Sequence, residues 1–354
     1  MQTEIKTLEP IFKDNYTAIA MSSSDEYIPY LSVCLQSLVE HTSNNHNYDI
    51  VIFSTSENEL NKNIIIDTYS KKNISVRFYN PSEIVKDLKM TVTHKYFNEA
   101  CYYRIASPLV MKSYNKVIFT DIDLIFNTDI QALSAIDIGD HPIASCQECI
   151  WKTLIENNEE IHKIKIRDYA KKTLKLQDIN TYYNTGVILI NIQNYNKNSY
   201  YSKLKEAINN NYFLYQEQDA LNYLLKTQIL ALDNNWNYEV SDINTENLNI
   251  NEAKIIHYLG SRKPWSYPEL KYCYLWWNYA RRSPFYEVLM KNLLEVSIFE
   301  TILLNLNKNK YRVKSLKYRI LSKITFGKAK KHYQYKNRIW NDKIKSTKFL
   351  RGNI

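Results

Sequence analysis

The sequence predicts an α/β fold whose sheet begins with parallel strands, followed by a basic helical tail. Three observations carry this. Apolar runs of strand length alternate with helix-length segments from residue 17 onward. The fourth of these runs, KVIFT at 116–120, opens directly into two aspartates, Asp121 and Asp123. Positive charge is gathered beyond residue 308.

TAIAMSS (17–23) reads as a strand and is followed by a helix near 29–42; YDIVIFST (48–55) is followed by one near 57–71; ISVRFYN (74–80) by one near 98–112; KVIFT comes next. Strand–helix–strand order of this kind builds a largely parallel sheet, with ligands gathering at the carboxyl ends of its strands. Further strands are expected at PIASC (142–146), TGVILINI (185–192), QILALD (228–233) and AKIIHYL (253–259).

With 354 residues, 45% of them hydrophobic, the chain can bury one large core with something attached, or two domains. The divisions expected are an N-terminal extension over 1–16, a catalytic domain over 17–285 and a basic helical segment over 286–354. No stretch reaches the roughly 18 consecutive apolar residues of a spanning helix. The opening MQTEIKTLEPIF has early acids and no hydrophobic signal region, which places the protein in the cytoplasm. Five cysteines, an odd number, fit reduced thiols better than a disulfide framework. Cys146 and Cys149 form a C-x-x-C with no second pair to complete a zinc site.

The charge is unevenly spread. Residues 308–354 hold 16 Lys and Arg against the single acid Asp342, a net of +15 within a total of +9, so the remainder carries −6. Within this tail Val313, Leu316, Ile320 and Ile324 recur at three- and four-residue steps, an apolar stripe flanked by Lys and Arg. Such a helix suits an anionic membrane surface. The alternatives are a solvated helix packed on the body and a phosphate-binding surface for nucleic acid.

Side by side in a strand, Asp121 and Asp123 would point to one face and repel each other; the pair makes sense when it holds a cation or ends the strand. A lone D-x-D is also a common turn after a strand. Late in the chain, HYLGSRKPW adds His257, Gly260 and Lys263. An imidazole joining two carboxylates suits a divalent ion and favours Mn²⁺ over Mg²⁺, which stays the second candidate. Lys263 suits phosphate oxygens. Together these residues describe a metal–diphosphate site.

Here the sequence resembles the retaining glycosyltransferases of family 8, whose bacterial members extend lipopolysaccharide or lipooligosaccharide. The resemblance rests on SSDEYIPYLSVCLQSL (23–38), YYRIASPLV (102–110), FTDIDLIF (119–126), YYNTGVILINI (182–192), YQEQDALN (215–222) and HYLGSRKPW (257–265), in the family's order. It implies a GT-A fold, a Rossmann-like sheet that binds a nucleotide-sugar. It further implies that Asp121, Asp123 and His257 hold Mn²⁺ against the diphosphate of a UDP-galactose or UDP-glucose donor. Lys263 and Gly260 would meet the diphosphate, and Arg104 and Asp121 would fix the donor. Ser23, Ser24, Asp25 and Tyr27 would line the first loop, Asn184 and Gly186 would lie beside the sugar with Glu217, and Gln218 and Asp219 would lie under the anomeric carbon. The implied acceptor is a membrane-anchored glycan, with the basic tail on the inner face of the cytoplasmic membrane and no nucleic acid partner.

Several residues depart from the family pattern. Glu217 stands where many relatives have Asp, one methylene shorter, and Gln147 and Glu148 stand where relatives often carry an acid. Gln218 is a neutral amide and a poor nucleophile, whereas Asp219 is chemically better suited. The same QEQDALN also reads as a polar helix start with acids in its first turn. Two rival readings remain. VIFTDIDLIF resembles the first motif of haloacid-dehalogenase phosphatases, although Ile125 stands where those prefer Thr or Val. A carbohydrate- or nucleic-acid-binding protein would explain 30 Tyr and the basic tail, but not the combined D-x-D, His and Lys signal.

Overall fold

The computed structural model describes residues 5–90, 99–161, 164–178, 181–241, 249–324, 331 and 334–341. Its first three strands, β1 (Tyr16–Ser22), β2 (Asn47–Phe53) and β3 (Ile74–Tyr79), pair in parallel. The chain then returns to the other side of β1 with β4 (Lys116–Thr120), again parallel. This reversal is a topological switch point, where the carboxyl ends of adjacent strands open a crevice. A three-residue strand, β5 (Leu124–Phe126), follows the aspartates, and β6 (Ile143–Gln147) joins the main sheet. A short hairpin of β7 (Glu160–Ile161) and β8 (Ile164–Lys165) precedes β9 (Tyr183–Asn191), which runs antiparallel between β4 and β6. With β10 (Ile229–Ala231) the seven-stranded order is β10-β6-β9-β4-β1-β2-β3.

Both faces of this sheet are covered, so its strands read as continuous apolar runs instead of alternating ones. Ile19, Met21, Ile50, Ile52, Ile118, Val187 and Leu189 enter one buried layer with Leu31 and Leu35 of the helix Ile28–Glu40. Ala18, Ala20, Val51, Phe53, Val117, Phe119, Ile188 and Ile190 enter the other, with Ile105 and Val110 of the helix Tyr103–Val110. The strand period of two thus sorts one run of residues into two cores.

A second, three-stranded sheet is built on β5, the strand that follows the aspartates. Its strands β11 (Tyr238–Val240) and β12 (Ile255–Tyr258) pair in parallel, and β12 pairs antiparallel with β5, setting His257 opposite Leu124. The aspartates themselves do not lie in a strand. They occupy the bend between β4 and β5, so the same-face geometry of a continuous strand is replaced by a turn that opens toward His257.

The chain divides into two compact units, Met1–Pro264 with Leu270–Tyr286, and Trp265–Glu269 with Glu287–Ile354. The second is carried by the helix Tyr286–Ile324. Among its described side chains Val313, Leu316 and Ile320 are 68%, 56% and 51% exposed. Ser315 on another face shares its one hydroxyl proton between Asn337 Oδ1 and Asn341 Oδ1, each 2.8 Å from Oγ, and Tyr311 and Lys314 lie against Trp340. The Ile324 side chain and residues 325–330, 332–333 and 342–354 of the predicted tail lie outside the described residues. Among the described residues no helix is long and apolar enough to cross a membrane. All five cysteines are free thiols.

Candidate active site

The site begins where β4 ends. The Asp121 N–H donates to the Gly186 carbonyl on β9 at 2.8 Å, and the Tyr258 N–H on β12 donates to the Asp123 carbonyl at 3.1 Å. Two separate sheets therefore hold the two ends of the D-x-D turn. Ligand atoms of Asp121, Asp123 and His257 all lie within 4.8 Å of one another. His257 Nε2 is 3.2 Å from Asp123 Oδ1 and 3.8 Å from Asp121 Oδ2.

The tautomer of His257 follows from its neighbours. The Gly186 backbone N–H, which can only donate, gives its hydrogen bond to Asn184 Oδ1 at 2.7 Å. Asn237 Nδ2 donates to that same oxygen at 2.8 Å, which leaves Asn237 Oδ1 to accept from His257 Nδ1 at 2.9 Å. With its proton on Nδ1, His257 turns the lone pair of Nε2 toward the carboxylates, as a metal ligand must. Asp123 Oδ1, facing it, is buried without a hydrogen-bond donor. Two facing acceptors 3.2 Å apart are satisfied in one of two ways, by a metal cation between them or by a second proton on the imidazole that a bound metal would displace. Gly186 makes room for the ring: a Cβ there would meet His257 Nδ1 at 2.7 Å and Asn184 Oδ1 at 2.9 Å. The donor set thus fits a divalent ion.

Cations already flank the carboxylates. Lys263 places its ammonium on Asp123 Oδ2 and donates to the Tyr258 carbonyl at 2.6 Å. Burial alone would raise Asp123, but the Lys263 ammonium and the facing His257 imidazole reverse this and hold its carboxyl well below the usual range. Gly260, with φ +83°, makes the left-handed turn that carries the chain from β12 to Lys263. Arg104 lies buried between Asp121 Oδ1 and Glu217 Oε1, and donates to Thr185 Oγ1 at 3.1 Å. Burial pushes the Glu217 carboxyl up to about 7, with Arg104 opposing the shift.

The helix Gln216–Leu225 brings three predicted residues to this edge with different fates. Glu217 reaches Arg104, whereas Gln218 Oε1 accepts the Thr185 N–H at 3.0 Å. Asp219 turns the other way. Its carboxylate, fully buried, accepts from Tyr169 and Tyr182 hydroxyls at 2.6 Å and from the Tyr215 N–H at 2.7 Å. Burial lifts it to about 6 against those hydrogen bonds. Both its oxygens are thus engaged away from the metal triad, at the start of the helix. Asn222 clamps that helix to β9 through both backbone groups of Tyr183, at 2.7 and 2.8 Å.

Ser23, Ser24, Asp25 and Tyr27 follow β1 on the same strand-end edge. Ser23 N–H donates to the Phe53 carbonyl at 3.1 Å and Ser56 Oγ donates to Asp25 at 2.7 Å, tying the loops after β1 and β2 together. Thr185 and Asn237 were not legible as site residues, because their roles exist only through partners 81 and 20 positions away in sequence. Among the described residues the C-x-x-C joins no group of metal-ligating side chains: Cys146 Sγ meets the Asp233 carbonyl at 3.3 Å, and Cys149 lies near Asn234 Nδ2 at 3.7 Å.

Comparison with known proteins agrees with this geometry. The description "Glycosyl transferase family 8" matches residues 18–269. A putative glycosyltransferase of Haemophilus influenzae is 30% identical over 255 residues, covering 70% of this chain and 72% of that protein. The lipopolysaccharide 1,2-glucosyltransferase of Escherichia coli is 24% identical, over 50% of this chain and 53% of its own. Among solved structures, the bifunctional glycosyltransferase WbbM aligns at TM-score 0.72 and 22% identity, over 81% of this chain and 53% of its own. The galactosyltransferase LgtC, solved with donor and acceptor sugar analogues, aligns at TM-score 0.58 and 18% identity, over 76% of this chain and 96% of its own. The sheet is that of the GT-A glycosyltransferases. A match that runs from β1 past Lys263 leaves the phosphatase and binding-protein readings without support, and the chain belongs to glycosyl transferase family 8.

Proposed function

We propose that the chain transfers galactose or glucose, with retention of configuration, from a UDP-sugar to a glycan acceptor of the lipopolysaccharide or lipooligosaccharide type. The observation that carries this reading is the Asp121–Asp123–His257 cluster at the switch point of the sheet, with Asp123 Oδ1 lacking a donor. These residues would hold Mn²⁺, with Mg²⁺ the other candidate, and the ion would neutralise charge on the departing diphosphate as a Lewis acid. Lys263 and the Gly260 turn would meet the same diphosphate, and the loop Ser23–Tyr27 would border the nucleotide. Arg104, fixed by Asp121, Glu217 and Thr185, would orient the sugar with little reorganisation on binding. Asn184, Gly186 and Gln218 would bound the sugar from β9 and the helix Gln216–Leu225, while Asp219 would keep that helix start in place through its tyrosines.

The exposed stripe Val313–Leu316–Ile320 lies among exposed Arg312, Lys317 and Arg319. An apolar strip edged by cations suits the anionic inner face of the cytoplasmic membrane, where such acceptors are anchored. The test is a panel of UDP-sugars, each measured for hydrolysis and transfer with and without Mn²⁺. Metal-dependent turnover of UDP-galactose or UDP-glucose is expected; turnover confined to other nucleotide-sugars would refute the donor assignment.

A further inference from the structure

Asn184 and Gln218 aim their amide N–H groups at one atom, Glu148 Oε2, at 2.6 and 3.2 Å. Neither amide can be reversed. Asn184 Oδ1 accepts the Gly186 backbone N–H, and Gln218 Oε1 accepts the Thr185 backbone N–H, so each must turn its NH₂ outward. Glu148 Oε2 therefore accepts twice and carries no proton. Beside it stands Glu239, a second buried carboxyl that receives the Cys149 N–H at 3.1 Å; burial raises both carboxyls above the usual range and Glu239 the further, so a proton held by the pair sits on Glu239 and Glu148 keeps its charge. The two glutamates are 8% and 3% exposed.

The placement of Glu148 is specific. Along the active edge the order is β1, β4, β9, β6: Asp121 ends β4, Asn184 and Gly186 open β9, and Glu148 follows β6. Glu148 thus lies on the far side of the β9 residues from the metal triad. Hydrogen bonds join the two along separate routes, through Asn184, Asn237 and His257, and through Gln218, Thr185, Arg104 and Asp121. A sugar whose phosphate is held at the triad and whose ring lies along β9 would meet this carboxylate. Gln218 offers it no free carbonyl, because Thr185 takes that oxygen from both its N–H and its hydroxyl, at 3.0 and 3.3 Å.

We propose that Glu148 is a catalytic residue whose fixed negative charge faces the anomeric carbon of the transferred sugar, with Gln218 and Asn184 as the positioning residues that aim it and Glu239 supporting it alongside. The inference rests on the UDP-sugar reading above. As the bond from C1 to the diphosphate breaks, its electron pair leaves with UDP and positive charge grows on C1 and the ring oxygen. The acceptor hydroxyl then forms the new C1–O bond and gives its proton to the departing diphosphate. A preorganised carboxylate in a water-poor site stabilises the positive charge far better than a neutral amide does.

The test compares wild type with Glu148→Gln, Glu148→Asp and Glu239→Gln, each first checked by thermal melting. UDP affinity in Mn²⁺ is measured by calorimetry, and kcat and KM by hydrolysis of UDP-galactose and UDP-glucose. Glu148→Gln preserves size and can still accept from both amides, so UDP affinity and KM should hold within about threefold while kcat falls roughly a hundredfold or more. Glu148→Asp keeps the charge and should retain more of the rate than Glu148→Gln, and Glu239→Gln should lose less than either. A wild-type kcat in Glu148→Gln, a larger loss in Glu148→Asp, or a loss of UDP affinity that matches the loss of rate would overturn the proposal. If wild type itself turns over neither donor, the UDP-sugar reading fails and the inference falls with it, an outcome recognised without any variant.

Discussion

Lys263 sets its ammonium on Asp123 Oδ2, so a lysine fills one coordination position of the carboxylate that faces His257 Nε2. In the function proposed above, the same Lys263 would meet the diphosphate. Its two partners compete, and the sign of its removal depends on what is bound. Lys263→Met should tighten Mn²⁺ binding in the absence of nucleotide, because Asp123 is freed. It should weaken UDP binding at saturating Mn²⁺ by roughly 2 kcal/mol or more. Manganese titration by electron paramagnetic resonance and UDP calorimetry measure the two effects; changes of the same sign would show that Lys263 does not exchange between them.

Asp121→Ala and Asp123→Ala should each abolish Mn²⁺-dependent UDP binding. Folding should survive the first change in particular, since Arg104 keeps Glu217 as a partner. UDP affinity that persists in Mn²⁺ after both changes would contradict the metal assignment.

Gly186→Ala tests the cradle around His257. The added methyl would press on the imidazole and on Asn184, and overpacking of this kind costs about 1–3 kcal/mol. Metal affinity should drop along with stability, whereas an enlargement elsewhere on β9 would reduce stability alone. Unchanged Mn²⁺ affinity would mean that the ring does not need its present position.

The buried Glu217 and Asp219 make stability fall as pH rises. Their folded values, about 7 and about 6, lie above the ordinary 4.5 and 3.8. Well below pH 4 both states are protonated and nothing is lost. Between there and pH 7 the unfolded chain releases protons that the folded chain keeps, so the slope is negative, and it levels off above pH 7. Glu217→Gln should remove up to about 3 kcal/mol of that decline. Urea unfolding of the metal-free protein at pH 5 and pH 8 reads it; an equally steep decline in the variant would assign the effect elsewhere.

Truncation of residues 308–354 should release the protein from anionic vesicles while donor hydrolysis continues, because every proposed site residue lies before Pro264. Each Lys or Arg that reaches the surface contributes about 1 kcal/mol, screened by salt. Equal vesicle sedimentation with and without the tail would rule out the anchor.

Much of this fold is legible because strands covered on both faces announce themselves as unbroken apolar runs: KVIFT is a strand over the predicted residues, and the other predicted strands are offset by one or two positions at most of their ends. The strands β5, β7, β8 and β11 are missed, since two or three residues carry too little pattern. The metal triad is legible from residue type alone, even though a β5–β12 register is what joins His257 to the aspartates. What chemistry alone misjudges is direction. Asp219 is better suited than Gln218 as a nucleophile on paper, yet Tyr169 and Tyr182, which are distant in sequence, draw its carboxylate inward. Glu148 looks like a departure from a pattern until two backbone N–H groups are seen to decide which way Asn184 and Gln218 point.

Because β9 runs against both its neighbours, it enters the sheet at the edge where β4 and β6 leave it. Asn184 and Gly186, proposed to bound the sugar, therefore lie in the first half of their strand, and the segment that feeds them precedes it. Engineering of donor preference has an unusual geography as a result. On the proposed site, grafts ahead of β9 should reshape the sugar pocket directly, while grafts behind it, beyond Asn191, emerge at the opposite end of the sheet and should leave donor preference unchanged.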